Sequence, residues 1–170
     1  MPSVSVTRTY LELQRLADLV PARIDDDPLL RVARVPAPSV ALAQKFYREV
    51  GESYHWTDRW KWTGAAWESW VTRPGFGTWV LSYDGQECGF FDLHWDDSGA
   101  CEIELFGLRR EFHGRGFGKH LLSRAVEIAF TVGATRVWLH TCTLDDPKAL
   151  PNYLARGFTQ YRTEMYMAET

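Results

Sequence analysis

Two carboxylates, Glu102 and Glu104, stand two residues apart in the run Cys101-Glu102-Ile103-Glu104-Leu105-Phe106-Gly107-Leu108. Extended backbone turns residues i and i+2 to one face, so an otherwise apolar strand offers both carboxylates to the same space. On a buried face such a pair is costly unless hydrogen-bonded or used, and mutual repulsion raises one of the two pKa values. A carboxylate tuned upward in this way suits a general base working near neutrality. Further along, the basic turn Arg109-Arg110-Glu111-Phe112-His113 leads into the glycine loop Gly114-Arg115-Gly116-Phe117-Gly118-Lys119, which opens a helix. Unpaired backbone N–H groups and the positive end of a helix dipole then converge on one point, which is a cradle for a pyrophosphate. Arg109, Arg110, Arg115 and Lys119 gather around that point, as a small anionic ligand requires.

Two nucleotide loops do not fit. A Walker A loop needs a glycine and a Ser or Thr where His113 and His120 stand. A dinucleotide fingerprint needs a third glycine at Lys119 or Leu121.

The elements that must position these groups are legible from periodicity. Val4 to Leu13 is β-branched and aromatic and reads as a first strand. Asp25-Asp26-Asp27-Pro28 reads as a solvated acidic turn, because its spacing is not that of a cation loop. After the stiff connector Val35-Pro36-Ala37-Pro38, Ser39 caps a helix to Val50, with Gly51 as its stop. Leu42, Phe46 and Val50 give that helix one buried stripe. Gly77 to Tyr83, the Asp84-Gly85 turn and Gln86 to Trp95 form a hairpin, and Asp96-Asp97-Ser98-Gly99 hands the chain to the strand carrying Glu102 and Glu104. Beyond the glycine loop, Gly118, Leu121, Leu122, Ala125, Val126 and Ala129 line one helix face, which stops at Gly133. Arg136 to Thr141 follows as a strand, making a right-handed βαβ unit. The fold class is therefore α+β, a three-layer arrangement in which antiparallel N-terminal strands precede a parallel βαβ unit in one mixed sheet, with helices on both faces.

Composition restricts the function. The chain has 170 residues, 45% of them hydrophobic and 14% aromatic, enough for one domain across 1–170 with a real core. A net charge of −3 argues against a nucleic-acid partner. Three cysteines with no Cys-x-x-Cys spacing suggest neither a disulfide framework nor a metal site, and point to a reducing cytoplasm. No leader pattern and no apolar run of about 18 residues marks the sequence, so no membrane partner is expected. Trp56, Trp60, Trp62, Trp67 and Trp70 crowd one segment with Asp58, Arg59 and Lys61. They read either as indoles packed on the sheet or as one wall of a pocket, and the two are compatible.

His113-Gly114-Arg115-Gly116-Phe117-Gly118 resembles the acetyl-CoA loop of the GCN5-related N-acetyltransferases, Gln/Arg-x-x-Gly-x-Gly/Ala, with His113 at the Gln/Arg position. A second stretch, Asp146-Pro147-Lys148-Ala149-Leu150-Pro151-Asn152-Tyr153-Leu154-Ala155-Arg156-Gly157-Phe158, resembles that family's closing pattern, with Asp146 in place of Asn. Asp146 and Pro147 also suit a helix N-cap and first position, and Pro151 should then loosen the helix. The resemblance spans Gly77 to about Met165 and implies an enzyme that moves an acetyl group from acetyl-CoA directly to a primary amine of a small molecule, amino acid or peptide. It implies Glu102 or Glu104 as the base and Tyr153 as the acid for the leaving thiolate. The Leu108 N–H would polarise the carbonyl beside a bulge that Gly107 makes easy, and the pantetheine would run along Phe106 and Leu108. Arg109, Arg110, His113, Gly114, Arg115, Gly116, Phe117, Gly118 and Lys119 would surround the phosphates, with Asp146 and Asn152 nearby. No metal is implied, and a homodimer is compatible with the family. The same fold kept as a CoA-binding regulatory module, without catalysis, is the other reading.

Overall fold

The computed structural model describes residues 2–169. Seven strands form one sheet: β1 (Ser3–Leu13), β2 (Leu30–Arg34), β3 (Phe76–Tyr83), β4 (Gln86–Trp95), β5 (Ala100–Leu108), β6 (Arg136–Cys142) and β7 (Thr159–Glu169). Their order across the sheet is β2-β3-β4-β5-β6-β1-β7. Every neighbouring pair is antiparallel except β5 and β6, the parallel pair that a strand-helix-strand crossover requires. The helices are α1 (Val40–Gly51), α2 (Gly64–Val71), α3 (Phe117–Thr131) and α4 (Ala149–Ala155). None of the described helices is long and apolar enough to cross a membrane.

Packing follows the apolar stripes. Leu121, Leu122, Ala125, Val126 and Ala129 of α3 are fully buried against Leu11, Leu93, Cys101, Val137 and Leu139 of the sheet. On the opposite face Phe46 and Val50 of α1 close on Phe90, whose ring stacks on Phe46 at 4.8 Å. Ser39 caps α1 by accepting the Leu42 N–H at 3.1 Å. Gly133 takes a positive φ of 116° after α3 and releases the chain towards β6.

Three features depart from the expectations above. The five-residue edge strand β2 is an addition: Leu30-Arg31-Val32-Ala33-Arg34 pairs with β3 straight after the acidic turn. The bulge in β5 lies at Glu104 and not at Gly107: Asp92 faces Leu105 while Leu93 faces Ile103, which leaves Glu104 as the extra residue. Gly107 is needed for close packing instead, because a Cβ there would meet Val50 Cγ1 at 2.5 Å. Asp146 does not cap α4, which starts at Ala149; its Oδ1 accepts the Lys148 N–H at 2.8 Å in the preceding turn. Pro151 consequently falls in the first turn, where its missing N–H costs no helix bond, and α4 is not loosened there.

Candidate active site

The site begins where two strands part. The β5–β6 ladder contains only Ala100↔Arg136, Cys101↔Val137 and Glu102↔Trp138, although β5 continues to Leu108 and β6 to Cys142. Beyond Glu102 the sheet therefore opens. The Arg109 N–H donates to the Cys88 carbonyl at 2.7 Å, so Cys88 and Arg109 are a hydrogen-bonded pair. In an antiparallel ladder such pairs alternate with non-bonded ones. Leu108 opposite Gly89 and Phe106 opposite Phe91 are the non-bonded pairs, and their N–H and C=O groups face the gap. An extended chain laid there would find a strand edge to pair with.

The glycine loop stands at the mouth of this gap. Gly114 and Gly116 adopt φ values of 81° and 79°, conformations that a side chain rarely tolerates. A Cβ on Gly114 would meet nothing within 4 Å, and one on Gly116 only Ile24 at 4.0 Å. Gly116 is the N-cap of α3, and Phe117 is buried beneath it. The loop is thus open on the side of both glycines and ends at the N-terminus of α3, whose first backbone N–H groups have no partner within the helix. Arg110, Arg115 and Lys119 are exposed beside it. The Arg115 guanidinium lies over the Phe112 and Phe117 rings at 5.5 and 5.9 Å. Arg109 is turned towards α1 and is engaged by Glu49 at 3.5 Å, Glu111 at 3.4 Å and the Glu87 carbonyl. Asn152 reaches from α4 to the Gly118 carbonyl at 3.4 Å.

His113 points away from the loop. Its Nε2 lies 2.8 Å from the Tyr54 hydroxyl and 3.2 Å from the Leu108 carbonyl, with the two rings stacked at 5.9 Å. It ties the turn after α1 to the end of β5. Burial pushes the Tyr54 hydroxyl up to about 12, and the Asp146 charge adds to this.

On the α1 face of the sheet the carboxylates gather. Glu104 is held by Arg73 in a two-pronged ion pair, with bonds of 3.0 and 2.7 Å, and its side chain is 5% exposed. Arg73 in turn stacks on Trp70 at 3.4 Å. Among the described residues Glu102 has no such partner; His140 Nε2 lies at 3.9 Å, on an imidazole whose pKa burial lowers. Burial raises the Glu102 carboxyl to about 7, and the Glu104 charge pushes the same way. The two glutamates are thereby distinguished: Glu104 is held by two hydrogen bonds from Arg73, and Glu102 is free to take a proton. Asp92, buried in the next strand and bonded by the Thr78 hydroxyl at 2.7 Å, is also raised to about 7 by burial. His94 completes the group, with Nδ1 3.6 Å from Glu104.

Tyr153 closes the other side of the gap. Its ring is buried against Phe106 and Phe158, at 6.4 and 6.1 Å. Its hydroxyl bonds to nothing among the described residues. Burial, then the Asp145 charge, raises it, so it keeps its proton at neutral pH. Asp145 itself accepts from the Thr141 hydroxyl and from the Cys142 N–H at 2.9 Å, which fixes the end of β6. Burial, with Asp145 beside it, raises the Cys142 thiol, an arrangement unsuited to a nucleophile.

Sequence reasoning missed Asp92, Arg59, Arg73, Tyr54 and Asp145 as neighbours of this gap. Asp92 carried a signal: a lone acid in the apolar run Phe90-Phe91-Asp92-Leu93. Arg59 and Arg73 carried none beyond their place among tryptophans. Of those tryptophans, Trp67 is core, Trp60 is 73% exposed, and Trp62 and Trp70 enclose Arg59. The reading of packed indoles holds for Trp67, which is buried edge-on to the Tyr47 ring at 5.5 Å.

Residues 40–158 match the model of the acetyltransferase (GNAT) family. An uncharacterized N-acetyltransferase in the pepI 3′ region of Lactobacillus delbrueckii subsp. lactis is 28% identical over 104 residues, which cover 57% of this chain and 60% of that protein. Among solved structures, a GCN5-related N-acetyltransferase from Kribbella flavida superposes with a TM-score of 0.67 at 21% identity, covering 97% of this chain and 58% of its own. An aminoglycoside acetyltransferase from an uncultured soil metagenomic sample superposes with a TM-score of 0.62 at 14% identity, covering 76% of this chain and 88% of its own. The chain thus spans about three fifths of the length of the first two, and the structural likeness speaks for the fold.

Proposed function

The chain belongs to the acetyltransferase (GNAT) family, and from that membership we propose that it transfers an acetyl group from acetyl-CoA directly to a primary amine. The observation that carries the proposal is the parting of β5 and β6 beyond Glu102, which leaves the backbone of Phe106 and Leu108 unpaired by β6.

Phe106 and Leu108 offer their backbone to the pantetheine arm, and Gly114, Gly116 and the N-terminus of α3 receive the pyrophosphate. Arg110, Arg115 and Lys119, exposed around the loop, supply positive charge. An alkyl ammonium has a pKa of about 10, so it must lose a proton before it can attack. Glu102 takes that proton, directly or through water, because its carboxylate is not committed to an arginine as Glu104 is. The Leu108 N–H donates to the thioester oxygen as negative charge builds on it. The new C–N bond forms as the C–S bond breaks, and the nitrogen sheds its second proton to solvent to leave the neutral amide. Tyr153 gives its retained proton to the leaving sulfur, and solvent restores it.

The test is release of free thiol from acetyl-CoA over a panel of amines, amino acids and peptides, with calorimetric binding of acetyl-CoA measured on the same protein. Binding with release in the presence of an acceptor is expected. Binding without release for any acceptor would favour the CoA-binding module.

A further inference from the structure

Beside the carboxylates lies a guanidinium that makes no ion pair among the described residues. Arg59 leaves the turn before α2, and its guanidinium sits among four rings, at 4.4 Å from Trp70, 4.6 Å from Trp62, 5.4 Å from Trp67 and 5.7 Å from Tyr47. Its Nη1 is buried and makes no hydrogen bond. The Trp70 Nε1, on a ring in contact with it, is likewise buried and unpaired. Both atoms can only donate. Ring faces attract the charge of a guanidinium, but they do not satisfy N–H groups lying in its plane. Two orphaned donors in one aromatic enclosure therefore mark the place of a missing acceptor, since a buried donor left unmade is costly.

Among the described residues no group fills this place. Asp92, Glu104 and Glu102 all lie close enough to interact with Arg59 electrostatically. None of the three hydrogen-bonds the Arg59 guanidinium: both Glu104 oxygens are taken by Arg73, and Asp92 accepts from the Thr78 hydroxyl through Oδ1. Glu102 is the group reserved for the acceptor's ammonium. The face thus holds a carboxylate for a cation within electrostatic reach of a guanidinium whose buried donor is unpaired.

Resting on the transferase proposal above, we propose that the acceptor is a zwitterion, an α-amino acid whose ammonium meets Glu102 and whose carboxylate is received by Arg59 Nη1 and Trp70 Nε1. A simple amine would satisfy only the first contact, and a polycationic acceptor would bring charge against Arg59 and Arg73. The enclosing rings exclude water from the carboxylate, which strengthens its charge-assisted bonds and makes their loss expensive.

The experiment compares matched pairs. Thiol release is measured with the twenty amino acids and with decarboxylated counterparts of several of them, such as phenylalanine against phenethylamine and tryptophan against tryptamine. Acetyl-CoA binding is followed separately by calorimetry. At least a tenfold higher kcat/KM for the amino acid of the preferred pair is expected. R59Q should raise KM for that amino acid far more than for its amine, and R59K should restore part of the preference by returning the charge without the planar fork. The deaminated acid of the same pair should inhibit the wild-type chain competitively against the amino acid, a readout that does not require a variant to fold. Equal or better use of the amines, or acetyl-CoA binding with no release from any amino acid, would overturn the zwitterion while leaving the cofactor site standing. Absence of acetyl-CoA binding would overturn the transferase proposal beneath it.

Discussion

Replacing Glu102 by glutamine removes one oxygen's charge and almost no volume, and its effects on rate and on stability run in opposite directions. The carboxyl is moved from an ordinary 4.5 to about 7 by burial and by the Glu104 charge. Each pH unit of that displacement is worth roughly 1.4 kcal/mol, so about 3 kcal/mol is the upper figure for a side chain that is 20% exposed. The sign follows from which state holds the proton more tightly. The folded chain does, so stability from this group is fully present below 4.5 and is lost as pH rises towards about 7. Glutamine is never ionised. The E102Q variant should therefore match the wild type near pH 4 and exceed it above pH 7, by up to about 3 kcal/mol in urea denaturation. Activity should do the reverse. Wild-type kcat/KM should rise with pH through about 7, while E102Q should lose roughly 10²- to 10⁴-fold at neutrality. That deficit should shrink towards pH 10, where about half of an alkyl amine is already neutral. An E102Q chain with wild-type kcat/KM at pH 7, or a stability difference that is the same at pH 4 and pH 8, would refute the assignment of a raised, proton-accepting Glu102.

Other expectations concern the groups around it. Y153F should lower kcat with little change in acetyl-CoA affinity, as read by steady-state kinetics beside calorimetry; a fully active variant would remove Tyr153 from the mechanism. G116E places a side chain at φ 79° and a negative charge in the cradle, so acetyl-CoA binding should fall below detection while far-ultraviolet circular dichroism stays native. Unchanged affinity there would contradict the phosphate site. R73M strips both hydrogen bonds from the buried Glu104 and should cost about 3 to 5 kcal/mol in a denaturant titration. Most of that loss should return in R73M/E104Q, and a loss below about 1 kcal/mol would show that the ion pair does not hold the bulge.

Much of this site was legible because the signals are local. The Gly114–Gly116 loop announces itself since positive φ selects glycine, and the stripe from Leu121 to Ala129 announces a helix packed on a sheet. Glu102 and Glu104 stood out because two charges on one face of an apolar strand need a reason. What stayed hidden depends on pairings that a period of two does not encode. The alternation of Val4 to Leu13 identifies a strand but not its slot between β6 and β7. The bulge at Glu104 is decided by how Asp92 and Leu93 align against β5, so Gly107, the residue most permissive of a bulge, was the wrong guide. Arg59 and Arg73 both act on the Asp92 carboxyl from separate segments, and only tertiary packing joins them. His113 looked like a weakened phosphate contact; in the fold it serves Tyr54 and Leu108.

The most direct test of the account is a crystal structure of the chain with acetyl-CoA. The pantetheine is expected to pair with the backbone of Phe106 and Leu108, with the thioester oxygen within hydrogen-bond distance of the Leu108 N–H, the sulfur near the Tyr153 hydroxyl, and the pyrophosphate at Gly114 to Gly118. Acetyl-CoA bound anywhere else on the chain, or bound at the loop with its thioester turned away from Glu102 and Tyr153, would contradict it.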